Sequence, residues 1–280
     1  MSILLVPQTI KKQLLLGAVV AISISGGKDS QALLKDTVAY MRKHFPTNKM
    51  FAIHADLGRV EWPQTMKHCK KLCKELGIEL VVVRREKGDL LDRWTERMDL
   101  LEGTGKPFWS SAKNRYCTSD MKREPINKYL RKFQRVISVE GIRAQESTAR
   151  AAKPVVKVRD QITTRERVAY TWNPILRYTI EHVYATYGMS LELLAKARTH
   201  YKAKGVVPKW WPFHAAYAMG NDRLSCIICV LASINDVLNG IRHAPELTKT
   251  LIKMEKKSGA TFKHNMSLST LLKRSKEEPQ

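Results

Sequence analysis

The sequence predicts an α/β fold built on a parallel sheet, and three observations carry that expectation. β-branched apolar runs recur at 18–24, 49–58, 78–86 and 133–147. Helical spacing of apolar residues follows the first two runs, and glycines stand where the first, second and fourth run out into loops. Strands that alternate with helices pair in parallel, joined by right-handed crossovers.

The elements follow in order. The opening "MSILLVPQTIKKQLLLGAVV" reads as a leading helix and then a buried strand, because Lys11 and Lys12 interrupt its apolar run. "AVVAISI" (18–24) suits a strand buried on both faces, and Leu33, Leu34, Val38 and Met41 give the next segment, 29–44, one apolar helical face. "KMFAIHADLG" (49–58) is a second strand, and 64–76 a helix closed by Gly77 as its C′ residue. "IELVVVRRE" (78–86) is a third strand; "FQRVISVEGIRAQES" (133–147) is a fourth that runs into a loop and a helix start. Beyond residue 150 the strand signal fades: 151–175 reads as irregular or hairpin, 179–205 and 233–257 as helices, and the tail 273–280 as frayed.

At 280 residues the chain suffices for one sizeable core and an appended subdomain. Its 49 Lys and Arg against 26 Asp and Glu give a net charge of +23, an excess that fits a polyanionic partner better than a merely solvated face. No stretch approaches the roughly 20 apolar residues that span a bilayer, and no cleavage site follows the opening run. The expectation is a cytoplasmic protein with no membrane contact, whose five cysteines serve metal binding or catalysis rather than disulfides.

Chemistry concentrates first in "ISISGGKDSQALL" (22–34). Ser25, Gly26, Gly27, Lys28, Asp29 and Ser30 lie between a buried strand and a helix start. Glycines admit an anion close to the backbone, the helix N-terminus offers free N–H groups, Lys28 adds a point charge, and the two serines add hydroxyls. The spacing is not that of a Walker A loop. Taken alone, these residues indicate a phosphate.

The loop resembles the SGGxDS pyrophosphate loop of the N-type ATP pyrophosphatases (PP-loop enzymes), and other matches resemble their branch related to phosphoadenosine phosphosulfate (PAPS) reductase. "HADLGRVEWPQT" (54–65) falls where a nucleotide meets the carboxyl edge of a sheet, and Asp56 there would meet ribose, adenine or a metal. "EGIRAQESTAR" (140–150) resembles a GxRxxESxxR segment, in which Gly141 allows close approach and Arg143 and Arg150 grip phosphates. "WNPI" (172–175) and "AYAMGNDRLSCIICVLAS" (216–233) resemble later blocks of the same branch. The resemblance spans about 18–233. It implies a Rossmann-like, doubly wound sheet over 1–150 with a mostly helical C-terminal portion over 151–280, and ATP with Mg²⁺ as nucleotide and metal. Lys28, Asp29 and Arg143 are the implied catalytic residues.

Cys226 and Cys229 form a C-x-x-C that lets two thiolates reach one metal, and Cys117 lies in the basic stretch "RYCTSDMKREPI". In cluster-bearing members of the branch, a Cys-Cys pair in this stretch and a distant CxxC hold a [4Fe-4S] cluster. Tyr116 stands in place of one such cysteine here, so the resemblance implies three ligands and an open iron. Zinc with His214 as a fourth ligand, or no metal, are the alternatives. Cys69 and Cys73, at i and i+4, read as packing residues, as do His54, His182 and His214 and the aromatic "KWWPFH" (209–214).

The motif order, and the absence of cysteine from the last fifty residues, most resemble the ATP pyrophosphatase component of DNA phosphorothioation systems (Dnd/Ssp type). That resemblance implies DNA as acceptor, a cysteine desulfurase as sulfur donor, and further proteins of the same system as partners. tRNA thiolation is the alternative. Sulfonucleotide reduction is disfavoured, since the reductases place their nucleophilic cysteine in the tail.

Overall fold

The computed structural model describes residues 4–263 and 265–278. Six strands make one sheet: β1 (Val19–Ser23), β2 (Met50–Ala55), β3 (Leu80–Val83), β4 (Arg135–Val139), β5 (Val156–Val158) and β6 (Val168–Trp172). The order is β3-β2-β1-β4-β6-β5, parallel throughout except for β5, which is antiparallel to β6 at the edge. β1 is central, registered Val20 to Met50 on one side and Val20 to Ile137 on the other. The chain winds outward from β1 through β2 to β3, then returns to place β4 on the other side. The sheet is therefore doubly wound, with its switch point between β1 and β4.

Three helices belong to this frame: α1 (Gln8–Leu15), α2 (Lys28–His44) and α3 (Thr65–Glu75). α2 buries Leu33, Leu34, Val38 and Met41 against Val20, Ile22 and Ile137 of the sheet, the apolar spacing that marked it in the sequence. Gly77 follows α3 with a φ of +54°, as a C′ residue does. The opposite face is covered by Leu130 and Ile162 against Ala21, Phe51 and Val136.

The stretch between β3 and β4, for which the sequence offered no reading, is helical: α4 (Leu90–Leu100), a turn α5 (Tyr116–Thr118), a π-helical segment at Ser119–Arg123, and α6 (Glu124–Leu130). A further turn, α7 (Thr148–Ala151), precedes β5. The 151–175 segment is a hairpin, but its second arm also extends the main sheet.

The two long helices expected after β6 are each divided. α8 (Ile180–Ala185) and α9 (Leu191–Lys204) part at Gly188, with a φ of +67°. α11 (Ile234–His243) and α12 (Pro245–Ser258) part at Pro245, which disfavours helical geometry at Ala244 before it. A turn, α10 (Ala215–Ala218), lies between the pairs, and α13 (Leu268–Glu277) forms where a frayed tail was expected. Leu268 and Leu271 of α13 join Val237, Ile241 and Leu251 in a second core. Among the described residues no helix is long and apolar enough to cross a membrane.

Candidate functional site

The loop after β1 lies at the switch point. The chain leaves the sheet through Ile24 and Ser25, and Gly26 turns with a φ of +74°, a left-handed conformation that favours glycine. Gly27 is then the N-cap of α2. Ser30 braces the turn: its Oγ accepts the Ser25 N–H at 3.1 Å and donates to the Gly27 carbonyl at 2.9 Å. Among the described residues the backbone N–H groups of Gly26, Gly27, Asp29 and Ser30 donate to no protein acceptor. Four such groups around a helix N-terminus make an anion cradle.

Two buried cations flank it. Lys28 Nζ lies 3.5 Å from the Asp29 carboxylate and donates to the Asp222 carbonyl at 3.1 Å. Burial lowers the Lys28 pKa; Asp29 opposes that shift and nearby Arg143 adds to it. Arg143, beyond β4, donates from Nε to the other Asp29 oxygen and from Nη1 to Gln145 at 2.7 Å. Gly141 lies against the same loop: a Cβ there would sit 3.4 Å from the Asp29 carbonyl oxygen and the Ser30 Cα, an ordinary contact distance, so the packing is close without requiring glycine. Ser25 to Ser30, Gly141 and Arg143 therefore meet at one place. Of these, Lys28 and Arg143 border a cavity of about 300 Å³ also lined by Glu146, Tyr184, Arg198, Asp222 and Arg223.

A lid of the C-terminal portion covers the loop. The Lys28 N–H donates to the Tyr217 hydroxyl at 2.9 Å, and the Lys28 ammonium lies 5.0 Å from the centre of the Tyr217 ring. Around the cavity the arginines are latched by carboxylates: Arg143 by Asp29, Arg198 by Asp222 at 2.9 Å and Arg223 by Glu146 at 3.6 Å, with Arg150 also on Glu146. The arrangement suits a polyanion of at least two phosphates, which would compete with those carboxylates for the arginines. Sequence reasoning missed Arg198 and Asp222: Arg198 lies outside every quoted motif, Asp222 lies within the 216–233 block without being singled out, and only the tertiary fold sets them beside Lys28.

Residues 19–192, more than half of the chain, match the phosphoadenosine phosphosulfate reductase domain. The chain belongs to this family. It is also 26% identical over 265 residues to an uncharacterized 37.8 kDa protein in the gpa 5′ region of Escherichia phage 186, covering 80% of this chain and 71% of that one. An uncharacterized protein of Methanocaldococcus jannaschii is 25% identical over 237 residues; 85% of this chain is covered, but only 47% of the archaeal protein, so this chain spans about half its length. Among solved structures, the U34-tRNA thiolase NcsA of Methanococcus maripaludis with its [4Fe-4S] cluster aligns at a TM-score of 0.42 and 18% identity, over 95% of this chain and 77% of that one. At that score the likeness says nothing of the reaction.

The other residues expected at the PAPS-reductase-type site do not line this cavity. Asp56, just beyond β2, accepts the Gly58 N–H at 2.8 Å and pairs with Arg84 at 2.6 Å. Cys226 and Cys229 follow the lid segment, and the Ile227 N–H donates to the Val60 carbonyl at 2.8 Å, which ties them near the carboxyl end of β2. Cys117 and Cys226 both pack against the second core. Among the described residues, however, no three His, Cys, Asp or Glu side chains are gathered as an assembled metal site. His214 is not free to be a zinc ligand. Its Nδ1 accepts the Ala216 N–H at 3.1 Å and its Nε2 faces the Thr65 hydroxyl at 3.3 Å. His54 is likewise committed, to the Ile24 carbonyl at 2.9 Å and to Glu61 at 3.3 Å. In "KWWPFH", Trp211, Phe213 and His214 are buried as packing residues, whereas Trp210 is exposed.

Proposed function

We propose that the protein is an ATP pyrophosphatase that adenylates a nucleic-acid acceptor, a DNA backbone phosphate, so that sulfur can replace one of its oxygens. The observation that carries the reading is the set of four N–H groups that have no protein acceptor among the described residues, beside buried Lys28 and Arg143 at the switch point of the sheet. Such a cradle stabilises the charge that builds on a departing pyrophosphate.

In this reading an acceptor phosphate oxygen attacks the α-phosphorus of ATP. The α–β phosphoanhydride bond breaks, and pyrophosphate leaves into the loop. The acceptor then carries AMP through a new anhydride bond. The terminal sulfur of a persulfide, supplied by a cysteine desulfurase partner, forms the P–S bond as the P–O bond to AMP breaks. A thiol reductant then cleaves the S–S bond and leaves as a disulfide, with the sulfur retained on phosphorus. Lys28 and Arg143 hold the leaving group, and Asp29 orients both cations. As the site stands, Asp29, the carboxylate of the loop, is engaged by Lys28 and Arg143 and offers magnesium no free ligand. Cys117, Cys226 and Cys229 are the right donors for a [4Fe-4S] cluster, which would supply a sulfide-carrying iron. As they stand they are not gathered as a site, so no step runs through it.

Pyrophosphate release from ATP, measured with and without added DNA, tests the reading. Release should rise with DNA and fall about a hundredfold or more in Lys28→Ala. Equal release from the variant would end the loop assignment. Stimulation by tRNA alone would redirect the acceptor to a base, and sulfite release from a sulfonucleotide with a thiol would make the protein a reductase. Phosphorothioate dinucleotides, sought by mass spectrometry in DNA from cells with and without the protein, would identify the product.

A further inference from the structure

A second cavity, of about 320 Å³, lies beside the first and is not accounted for by ATP binding. Its wall includes Arg198, Tyr201 and Lys202 of α9, Asn235 and Arg242 of α11, and Asp222 of the lid. Arg198 and Asp222 line both cavities, so their ion pair at 2.9 Å is the partition between them. Arg198 is fixed in that position: its Nη2 donates to the Asn221 carbonyl at 2.8 Å and its Nε to the Tyr217 carbonyl at 3.2 Å. Tyr217 in turn holds the Lys28 N–H. The second cavity is thus joined to the phosphate loop through two residues.

The chemistry of the wall is cationic with an aromatic face. Arg198, Lys202 and Arg242 contribute three positive charges. Of the acidic side chains at the wall, Asp222 is engaged by Arg198, and the Glu278 carboxylate is engaged by Arg274 at 2.6 Å. Arg242 is steadied by main-chain acceptors, the carbonyls of Ser275 at 3.0 Å and of Glu278 at 2.5 Å. Among the described residues Lys202 has no ion pair. Tyr201 lines the wall with its hydroxyl held 2.9 Å from His243 Nε2. A volume near 300 Å³ is that of a small-ligand site, and cations combined with an aromatic ring and amides recognise a nucleotide.

We propose that this cavity is the acceptor subsite: it takes one nucleotide of a single nucleic-acid strand and brings its phosphate to the Arg198–Asp222 partition. The inference rests on the adenylation reading, for which the acceptor phosphate and the α-phosphate of ATP have to come together. Neither the loop motifs nor the family match assigns these residues a role, since Lys202, Asn235 and Arg242 lie beyond residue 192 where the family match ends.

The test is binding of a fluorescently labelled single-stranded oligonucleotide to the full chain without ATP, so that a change in ATP affinity cannot stand in for a change in oligonucleotide binding. The variant Lys202→Gln/Arg242→Gln should weaken binding about tenfold or more. The control Lys11→Gln/Lys12→Gln removes the same charge from exposed residues of α1, which leads into the amino end of β1, and should weaken it far less. Thermal melting of each protein shows that it is folded; if Arg242→Gln loosens α13, Lys202→Gln alone carries the comparison. Equal weakening in the two double variants would overturn the subsite, because a general surface potential would then account for binding. So would undiminished binding in Lys202→Gln/Arg242→Gln. A wild-type protein that binds the oligonucleotide through these residues yet releases no pyrophosphate would overturn the adenylation reading and leave the subsite standing.

Discussion

Cys69 and Cys73 are buried in the first core, where burial raises both thiol pKa values, that of Cys73 to about 11. A thiol that keeps its proton packs as a small apolar group and is a poor metal ligand. Cys226 and Cys229 differ, for they interact directly and are only part-buried. The hydrogen bond from Cys226 lowers the Cys229 pKa against the cost of burial, and the Leu231 amide, Lys122 and Lys263 lower it further. The pair therefore holds one readily formed thiolate, with Cys117 the third thiol on the same core. Its replacement partner, Tyr116, is buried with its hydroxyl on the Phe108 carbonyl, so it offers nothing to a metal. If a cluster draws these three thiols together, protein purified without oxygen should contain iron and acid-labile sulfide. Cys117→Ser and Cys229→Ser should each lower the iron content severalfold, and Cys69→Ser should leave it as it is. Iron-free wild-type protein would end the cluster reading, and zinc in its place would make the site structural.

The elements explain why the C-x-x-C lies where it does. α11 passes so close to it that a Cβ on Gly240 would come within 1.7 Å of the Ile227 carbonyl oxygen. Alanine in mid-helix is ordinarily worth about 1 kcal/mol over glycine. Here the clash with main chain outweighs that gain, and Gly240→Ala should lose about 2–3 kcal/mol in urea unfolding, displacing the Cys226–Cys229 segment from Val60. Equal or greater stability would mean that the helix and the segment are not in such contact. The same elements show what the sequence could and could not display. β1, β2, α2 and α3 were legible because each turns one apolar face, or two, to a core formed largely by its neighbours. β6 was not: its segment reads as one arm of a local hairpin, and only β4, far back in the chain, makes it a sheet strand. The divided helices were legible in retrospect at Gly188 and Pro245, whereas continuous helical spacing hid both breaks. At the site, the loop residues are contiguous and so were found together. Arg198 and Asp222 belong to the site only through the packing of α9 and the lid over α2.

The whole molecule sets one cavity at the carboxyl side of the switch point and the second beside it across the Arg198–Asp222 pair, and the chain carries a surplus of 23 positive charges. Of the cations near the loop, Arg143, Arg150 and Arg198 are each held by a carboxylate, so the surplus is carried elsewhere on the surface, by residues such as Lys202. Such a distribution favours a long polyanion over a single nucleotide, because ATP can neutralise only a few of these charges. A bound strand releases the counterions of every phosphate that a lysine or arginine replaces, and log Kobs then falls linearly with log salt concentration. If about five phosphates are engaged, the slope for a single strand is about −3.5. Oligonucleotide binding measured across a salt series should therefore be steep, and Lys202→Gln/Arg242→Gln should flatten it by about 1, as lost phosphate contacts require. ATP binding to the same protein should respond much less, its phosphates being held in large part by backbone N–H groups of the loop and by two buried cations. A flat oligonucleotide series would mean that no phosphate contacts are made. The basic surface would then serve solvation, and the acceptor would have to be something other than a nucleic-acid strand.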